Sequence, residues 1–153
     1  MKRTLVALAV LATITSVAQA SEWHALNIGS FGFLFVDKES LVTDGHTAKV
    51  WAIESPRQTR EAPYIYAQQL MVFDCAQKTY IIKQREIFKE DLVGLQDARV
   101  PTQPQEPFPD SKEQWFMKFA CNPNSGVATK IDGVQSLLRT RAENRKMGLF
   151  DTR

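Results

Sequence analysis

The side chains most open to chemistry in this 153-residue sequence are two cysteines, two histidines, three tryptophans and a basic cluster near the C-terminus. Cys75 and Cys121 admit three readings: a disulfide, a metal site or a reactive thiol. A metal site would need more ligands than two thiolates and the distant His24 and His46 supply. His24 and Asp37 are residue types that can make an acid/base pair, but nothing in the sequence places them together. A half-exposed strand position is the simpler role for His24. No G-x-S-x-G, Walker loop, H-E-x-x-H or C-x-x-C motif occurs. Gly29-Ser30-Phe31-Gly32 reads as a turn before a strand, not as a phosphate loop. The sequence therefore displays no catalytic residue, no metal-ligand set and no cofactor site. Trp23, Trp51 and Trp115 suit either an aromatic ligand platform or the core. The core is favoured, because each indole buries a large apolar area. Arg139, Arg141, Arg145 and Lys146 form a candidate contact patch. It reads as one side of a helix for an anionic membrane surface, as a contact for an acidic protein, or as a solvated chain end.

The N-terminus decides between the cysteine readings. Lys2 and Arg3 precede an uncharged apolar run from Leu5 to Ile14, and Ala18-Gln19-Ala20 is a small-x-small cleavage site. These three parts in this order make residues 1–20 a cleavable export signal, with Ser21 as the mature N-terminus. The run is shorter than the about 20 apolar residues of a bilayer span, and no second such run follows. No Cys stands at the +1 position, which is Ser21, so a lipoprotein-type anchor is not expected. Export to the periplasm, the cell surface or the medium favours an intramolecular Cys75–Cys121 disulfide. Cleavage also changes the charge. The chain has 19 Lys+Arg against 17 Asp+Glu. Losing Lys2 and Arg3 leaves 17 of each. A neutral chain gives no reason to expect nucleic acid as a partner. The charge is uneven, however. Residues 21–125 carry 11 basic and 14 acidic side chains, and residues 126–153 carry 6 and 3.

These residues must be positioned by a mostly β body. Residues 22–28 and 32–37 read as strands. In the second, Phe31, Phe33 and Phe35 point one way and Leu34 and Val36 the other, so it must be covered on both faces. Asp44-Gly45 is a turn signal. In residues 47–55, Lys49, Trp51 and Ile53 alternate with Ala48, Val50 and Ala52. Residues 55–63 are a loop, and 64–75 and 79–88 read as an antiparallel pair joined by a short link, with a helix over 83–89 as the alternative that Lys, Gln, Arg and Glu allow. Residues 91–110, with Pro101, Pro104, Pro107 and Pro109, read as a long irregular surface loop, extended in part at most. Ser111-Lys112-Glu113-Gln114 fits a capping box. It opens a helix that carries Trp115, Phe116, Phe119 and Ala120 and ends at Cys121. Beyond it, 131–147 can form a second helix with Ile131, Val134, Leu138 and Ala142 on one side, weakened by Gly133. The expected class is α+β: five to six antiparallel strands with a C-terminal helix packed on them, one disulfide, and a helical or disordered tail. The expected divisions are 1–20, 21–122 and 123–153.

The ordered motifs Trp23, Val36-Asp37, Val50-Trp51, Phe73-Asp74-Cys75, Trp115 and Cys121 resemble the surface-adhesin protein E family of Gram-negative bacteria. The resemblance covers about residues 22–122. It implies a small antiparallel sheet with a C-terminal helix disulfide-linked to a strand. It also implies binding to host extracellular-matrix and plasma proteins, and a tendency to form homodimers. Within it, Cys75 and Cys121 are the disulfide, and Trp23, Asp37 and Trp51 are fold-defining positions. The expected function is that of an exported, non-enzymatic protein binder. The alternative is a periplasmic accessory protein that uses its basic tail to hold an envelope component or protein partner.

Overall fold

Strands that are apolar on both sides need two covers, and the computed structural model supplies both. It describes residues 21–26, 32–98, 100–101 and 103–151. The export signal at 1–20 and most of the Gly29–Gly32 turn, with Phe31, lie outside them. One antiparallel sheet holds eight strands. In chain order they are β1 (Trp23–Leu26), β2 (Phe33–Asp37), β3 (Val42–Asp44), β4 (Thr47–Ser55), β5 (Tyr66–Asp74), β6 (Thr79–Phe88), β7 (Gly94–Gln96) and β8 (Ala128–Lys130). The spatial order is β7-β6-β5-β4-β2-β1-β8, with β3 folded onto β4. Helix α1 spans Lys112–Cys121 and helix α2 spans Val134–Lys146.

Each helix covers one face. Leu34, Val36, Val50, Ala52, Met71 and Phe73 pack with Phe116, Met117, Phe119 and Ala120 of α1. Phe35, Ile53, Ile65 and Tyr66 pack with Val134, Leu138 and Ala142 of α2. Successive residues of β2 thus enter opposite cores, as alternation requires. Full burial of such a side chain stabilises by roughly 1.5–3 kcal/mol, so both cores contribute.

Local chemistry sets the ends of these elements. The Asp37 carboxylate accepts hydrogen bonds from the N–H groups of Glu22 (3.0 Å) and Glu39 (3.3 Å). It closes β2, starts a short 3-10 turn at Lys38–Ser40 and fixes the entry of β1. Gly32 has φ +92°, and a Cβ there would lie 2.3 Å from the carbonyl oxygen of Ser55. Only glycine fits where β2 begins against the loop that leaves β4. The Ser111 hydroxyl accepts from Gln114 N–H (3.2 Å) as the N-cap of α1. The return bond lands one residue earlier than the capping box expects, because Gln114 Oε1 accepts from Asp110 N–H (3.0 Å). Cys75, just past β5, and Cys121, the last residue of α1, are bonded, with Cα atoms 5.7 Å apart.

Three sequence expectations need correction. The sheet has eight strands rather than five to six, because β3, β7 and β8 are three residues each. That is too short to show alternation. The 91–110 stretch, expected as a loop extended in part at most, holds paired backbone. It contains β7, and Tyr80 and Gln105 exchange both backbone hydrogen bonds (2.8 and 2.9 Å). Residues 123–151 do not hang from the body as a tail. β8 pairs with β1 and α2 supplies one wall of the second core. Gly133, expected to weaken α2 from inside, precedes it as the N-cap at φ +72°.

Candidate functional site

His24 and Asp37 do not meet. Asp37 is spent on the backbone, and His24 Nε2 pairs with Glu22 Oε1 at 2.8 Å. Lys130 Nζ holds the other Glu22 oxygen at 3.1 Å, tying β8 to β1. The hydrogen bond from His24, and then that from Lys130, hold the Glu22 carboxyl down at about 2. This is a part-buried strut between two strands, beside a shallow cleft of about 240 Å³ lined by Ser21, Glu22, Trp23, Lys130, Ile131 and Asp132.

The tryptophans do not form one platform. Trp23 packs against the α2 core and Trp115 against the α1 core, on opposite faces of the sheet. Lys118 Nζ stands 4.2 Å from the Trp115 ring centroid. Trp51 belongs to neither core. Cross-strand register puts Trp51 beside Leu70, and Val42 and Val72 beside Lys49. Ile81 faces Val72 from β6. Trp51, Leu70, Val72 and Ile81 are only half-buried, and Val42 is 55 % exposed. They share the α2 side of the sheet, beyond the residues that α2 packs against. The result is a half-buried apolar strip across β3, β4, β5 and β6, without a helix over it among the described residues and with exposed Lys49 between Val42 and Val72.

The basic patch is divided. Arg141 is buried. Its Nη2 donates to Pro56 O (2.8 Å) and to Asp151 Oδ2 (3.0 Å). Arg145 Nη2 donates to Ala62 O (2.6 Å), and its Nε pairs with Glu90 at 2.7 Å. These two side chains bolt α2 to the loop between β4 and β5. Only Arg139 and Lys146 face water, and Lys146 pairs with Glu143 at 3.0 Å.

A second polar constellation escaped the sequence reading. Glu54, next to last in β4, lies on the α1 side with its side chain only 4 % exposed. Its Oε1 accepts from Arg85 Nη2 (2.6 Å) and from the Tyr64 hydroxyl. Its Oε2 meets the Lys112 ammonium at the start of α1. Arg85 Nη2 also donates to the Tyr64 oxygen (2.8 Å). A buried carboxylate needs such partners, because an unpaired one costs several kcal/mol. Burial above all, and then the neighbouring Glu54 charge, push the Tyr64 phenol well above its usual value. At neutral pH it is protonated, a donor rather than a base or nucleophile. The cluster floors a cleft of about 350 Å³ lined by Leu34, Glu54, Pro56, Tyr64, Ser111, Lys112 and Glu113. It can recognise charge. Among the described residues, no group of three His, Cys, Asp or Glu could hold a metal, and no helix is long and apolar enough to cross a membrane. The signals that reach this cluster are weak. Glu54 sits in an otherwise apolar strand, and Tyr64 follows Pro63 in a polar loop.

The family model of surface-adhesin protein E matches residues 23–122 of the chain. That stretch holds both cysteines, all three tryptophans and the whole Glu54 cleft. β8 and α2 lie beyond it. Among solved structures, the chain is similar to the crystal structure of protein E from non-typeable Haemophilus influenzae. The identity is 16 %, the TM-score 0.42, and the match covers 94 % of this chain and 99 % of that one. No curated protein matches.

Proposed function

Because the chain belongs to the surface-adhesin protein E family, we propose that it is an exported, non-enzymatic adhesin that binds host extracellular-matrix or plasma proteins. The observation that carries this reading is the open strip on the sheet. Trp51, Leu70, Val72 and Ile81, with exposed Val42 beside them, leave the α2 side of β3 to β6 without a helix over it. A largely apolar sheet face that carries a tryptophan, with exposed Lys49 between Val42 and Val72, suits a macromolecular partner better than a small substrate. The polar cleft supports the same class, since its phenol is held protonated and its carboxylate is neutralised.

The test has two arms. Mature protein is passed over a panel of immobilised matrix and plasma proteins and compared with Trp51→Ala and Val72→Lys. We expect saturable binding to at least one panel member, weakened at least tenfold by either substitution, with the melting midpoint of Trp51→Ala kept as a folding control. No saturable binding across the panel would overturn the reading. The second arm is protease shaving of intact cells. Removal of the protein supports surface display. Full protection would place it inside the envelope and favour a periplasmic accessory role. A second copy of the chain is included in the panel, because the same strip suits a homodimer.

A further inference from the structure

We propose that the cleft at the head of α1 receives a basic side chain, lysine or arginine, from an exposed segment of a protein partner, and that Lys112 occupies it in cis in the free protein. This deepens the protein-binding reading above and rests on it.

Three features of the cleft carry the proposal. The first is the division of labour on Glu54. Its Oε1 is filled by Tyr64 and Arg85, which are held by the sheet and by the loop behind it. Among the described residues, its Oε2 has no hydrogen-bond donor from the body of the fold and meets only the Lys112 ammonium. So one lone-pair face of a buried carboxylate is reserved for a cation that arrives on a movable arm. The second is the exposure of that arm. The Lys112 side chain is 30 % exposed, whereas that of Glu54 is 4 % exposed. A lysine at the first position of a helix can swing into water without disturbing the backbone, and its own charge is easily resolvated. Glu54 cannot follow it. Arg85 stays on Oε1 when Lys112 leaves, but the buried Oε2 is then left without a partner, which favours an incoming cation that can donate to it. The third is the shape and lining. Leu34, Pro56 and the Tyr64 ring give apolar walls for the methylenes of a lysine or arginine. Glu113, whose carboxylate lies 3.9 Å from Lys112 Nζ, adds a second acceptor at the rim. The lining thus carries two carboxylates against one lysine. A cleft of about 350 Å³ is within the range of small-ligand sites and accommodates one long side chain.

The exchange is isoelectric: one ammonium or guanidinium leaves Glu54 Oε2 as another arrives, and no proton moves. Lys112 is a tethered competitor, so its removal raises apparent affinity by the inverse of the fraction of time the cleft stands open. If Lys112 holds the cleft about nine-tenths of the time, the gain is about tenfold.

The experiment uses the mature, disulfide-intact chain labelled with ¹⁵N and titrated with the blocked tripeptides Ac-Gly-Arg-Gly-NH₂ and Ac-Gly-Lys-Gly-NH₂. Ac-Gly-Gln-Gly-NH₂ and Ac-Gly-Glu-Gly-NH₂ serve as controls. We expect saturable shifts at the amides of Tyr64, Lys112 and Glu113 with the two basic peptides only, and tighter binding, by about tenfold, to Lys112→Ala. Glu54→Gln is expected to abolish the response. If that variant does not fold, Lys112→Ala and Glu113→Gln still decide the matter. Absence of saturable shifts would overturn the proposal, as would equal shifts with the glutamine peptide or no tightening in Lys112→Ala. If Trp51→Ala still abolishes binding to a panel protein, the proposed function survives that failure.

Discussion

Leu138→Ala tests whether α2 is part of the folding unit. Leu138 lies on the sheet side of α2, 1 % exposed, among Phe35, Ile53, Ile65 and Tyr66 from the sheet and the loop before β5. The substitution removes three carbons, worth about 2.4 kcal/mol at about 0.8 kcal/mol each. The cavity left behind adds to this, bringing the expected loss to about 3–4 kcal/mol. With a urea slope of about 2 kcal/mol per molar for a domain of this size, the midpoint falls by about 1.5–2 M. The assay is urea unfolding followed by tryptophan fluorescence and far-ultraviolet circular dichroism. Trp23 packs against the α2 core and Trp115 against the α1 core, so fluorescence samples both faces at once. One transition, coincident in both signals and displaced by that amount, is the expected result. A midpoint shift under about 0.3 M would refute the reasoning, because substitutions outside a packed core cost within about 0.5 kcal/mol. So would a split transition in which α2 melts first and leaves the wild-type midpoint behind.

Three further outcomes follow from the same structure. Reduction of Cys75–Cys121, which closes a separation of 46 residues, should lower stability by about 4 kcal/mol in the chain-entropy model. Urea unfolding with and without reductant measures it, and an unchanged midpoint would contradict the model. Ser111→Ala removes the N-cap of α1 and should cost about 1 kcal/mol, whereas Ser111→Asp should keep most of it. A loss equal to that of Ser111→Ala in the aspartate variant would show that capping is not the cause. All three tyrosines, Tyr64, Tyr66 and Tyr80, are pushed above 10.0, in each case first by burial. A phenol raised in the folded state favours folding while it stays protonated, and that contribution is lost as pH rises above its unfolded value. Absorbance at 295 nm should therefore rise at higher pH in the native protein than in the urea-unfolded chain, and rise sharply with unfolding. A phenol titrating at 10 in the native protein would contradict the burial.

The five long strands and α1 were legible because their periodicity is written in consecutive residues. Leu34 and Val36 against Phe35 state two covered faces, although Phe33 at the strand's start is 41 % exposed, and Ser111 with Gln114 states a helix start. The Cys75–Cys121 pairing was legible because an exported chain with two cysteines allows a single internal bond. β3, β7 and β8 were not, because three residues carry no period and their pairing is set by partners far along the chain. The basic cluster shows the limit most clearly. Spacing showed Arg141 and Arg145 on a helix, but not that the carbonyls of Pro56 and Ala62 would be waiting for them. The Glu54 cluster was hidden for the same reason: its members sit at positions 54, 64, 85 and 112, on four separate segments, and only the β4–β5–β6 register with α1 laid across it brings them together.

The loop between β4 and β5 joins the two faces of the molecule. On the α2 side its backbone is gripped through Pro56 O by Arg141 and through Ala62 O by Arg145. Gln58 adds both of its backbone groups, which bond Asp151. On the α1 side the same loop sends Tyr64 onto Glu54 and forms a wall of the cleft with Pro56. The family-matched stretch ends at residue 122, yet part of what orients its polar cleft comes from residues 141–151. Those residues make no contact with Glu54 or Lys112 among the bonds described. Their influence on the cleft must run through the position of the loop, and the contacts that set that position are charge-assisted bonds to main-chain carbonyls. Such bonds fix backbone rather than side chains. The basic cluster is therefore best understood as positioning chemistry: two of its four cations hold the loop in place, and recognition is left to the carboxylate that the loop helps to bury.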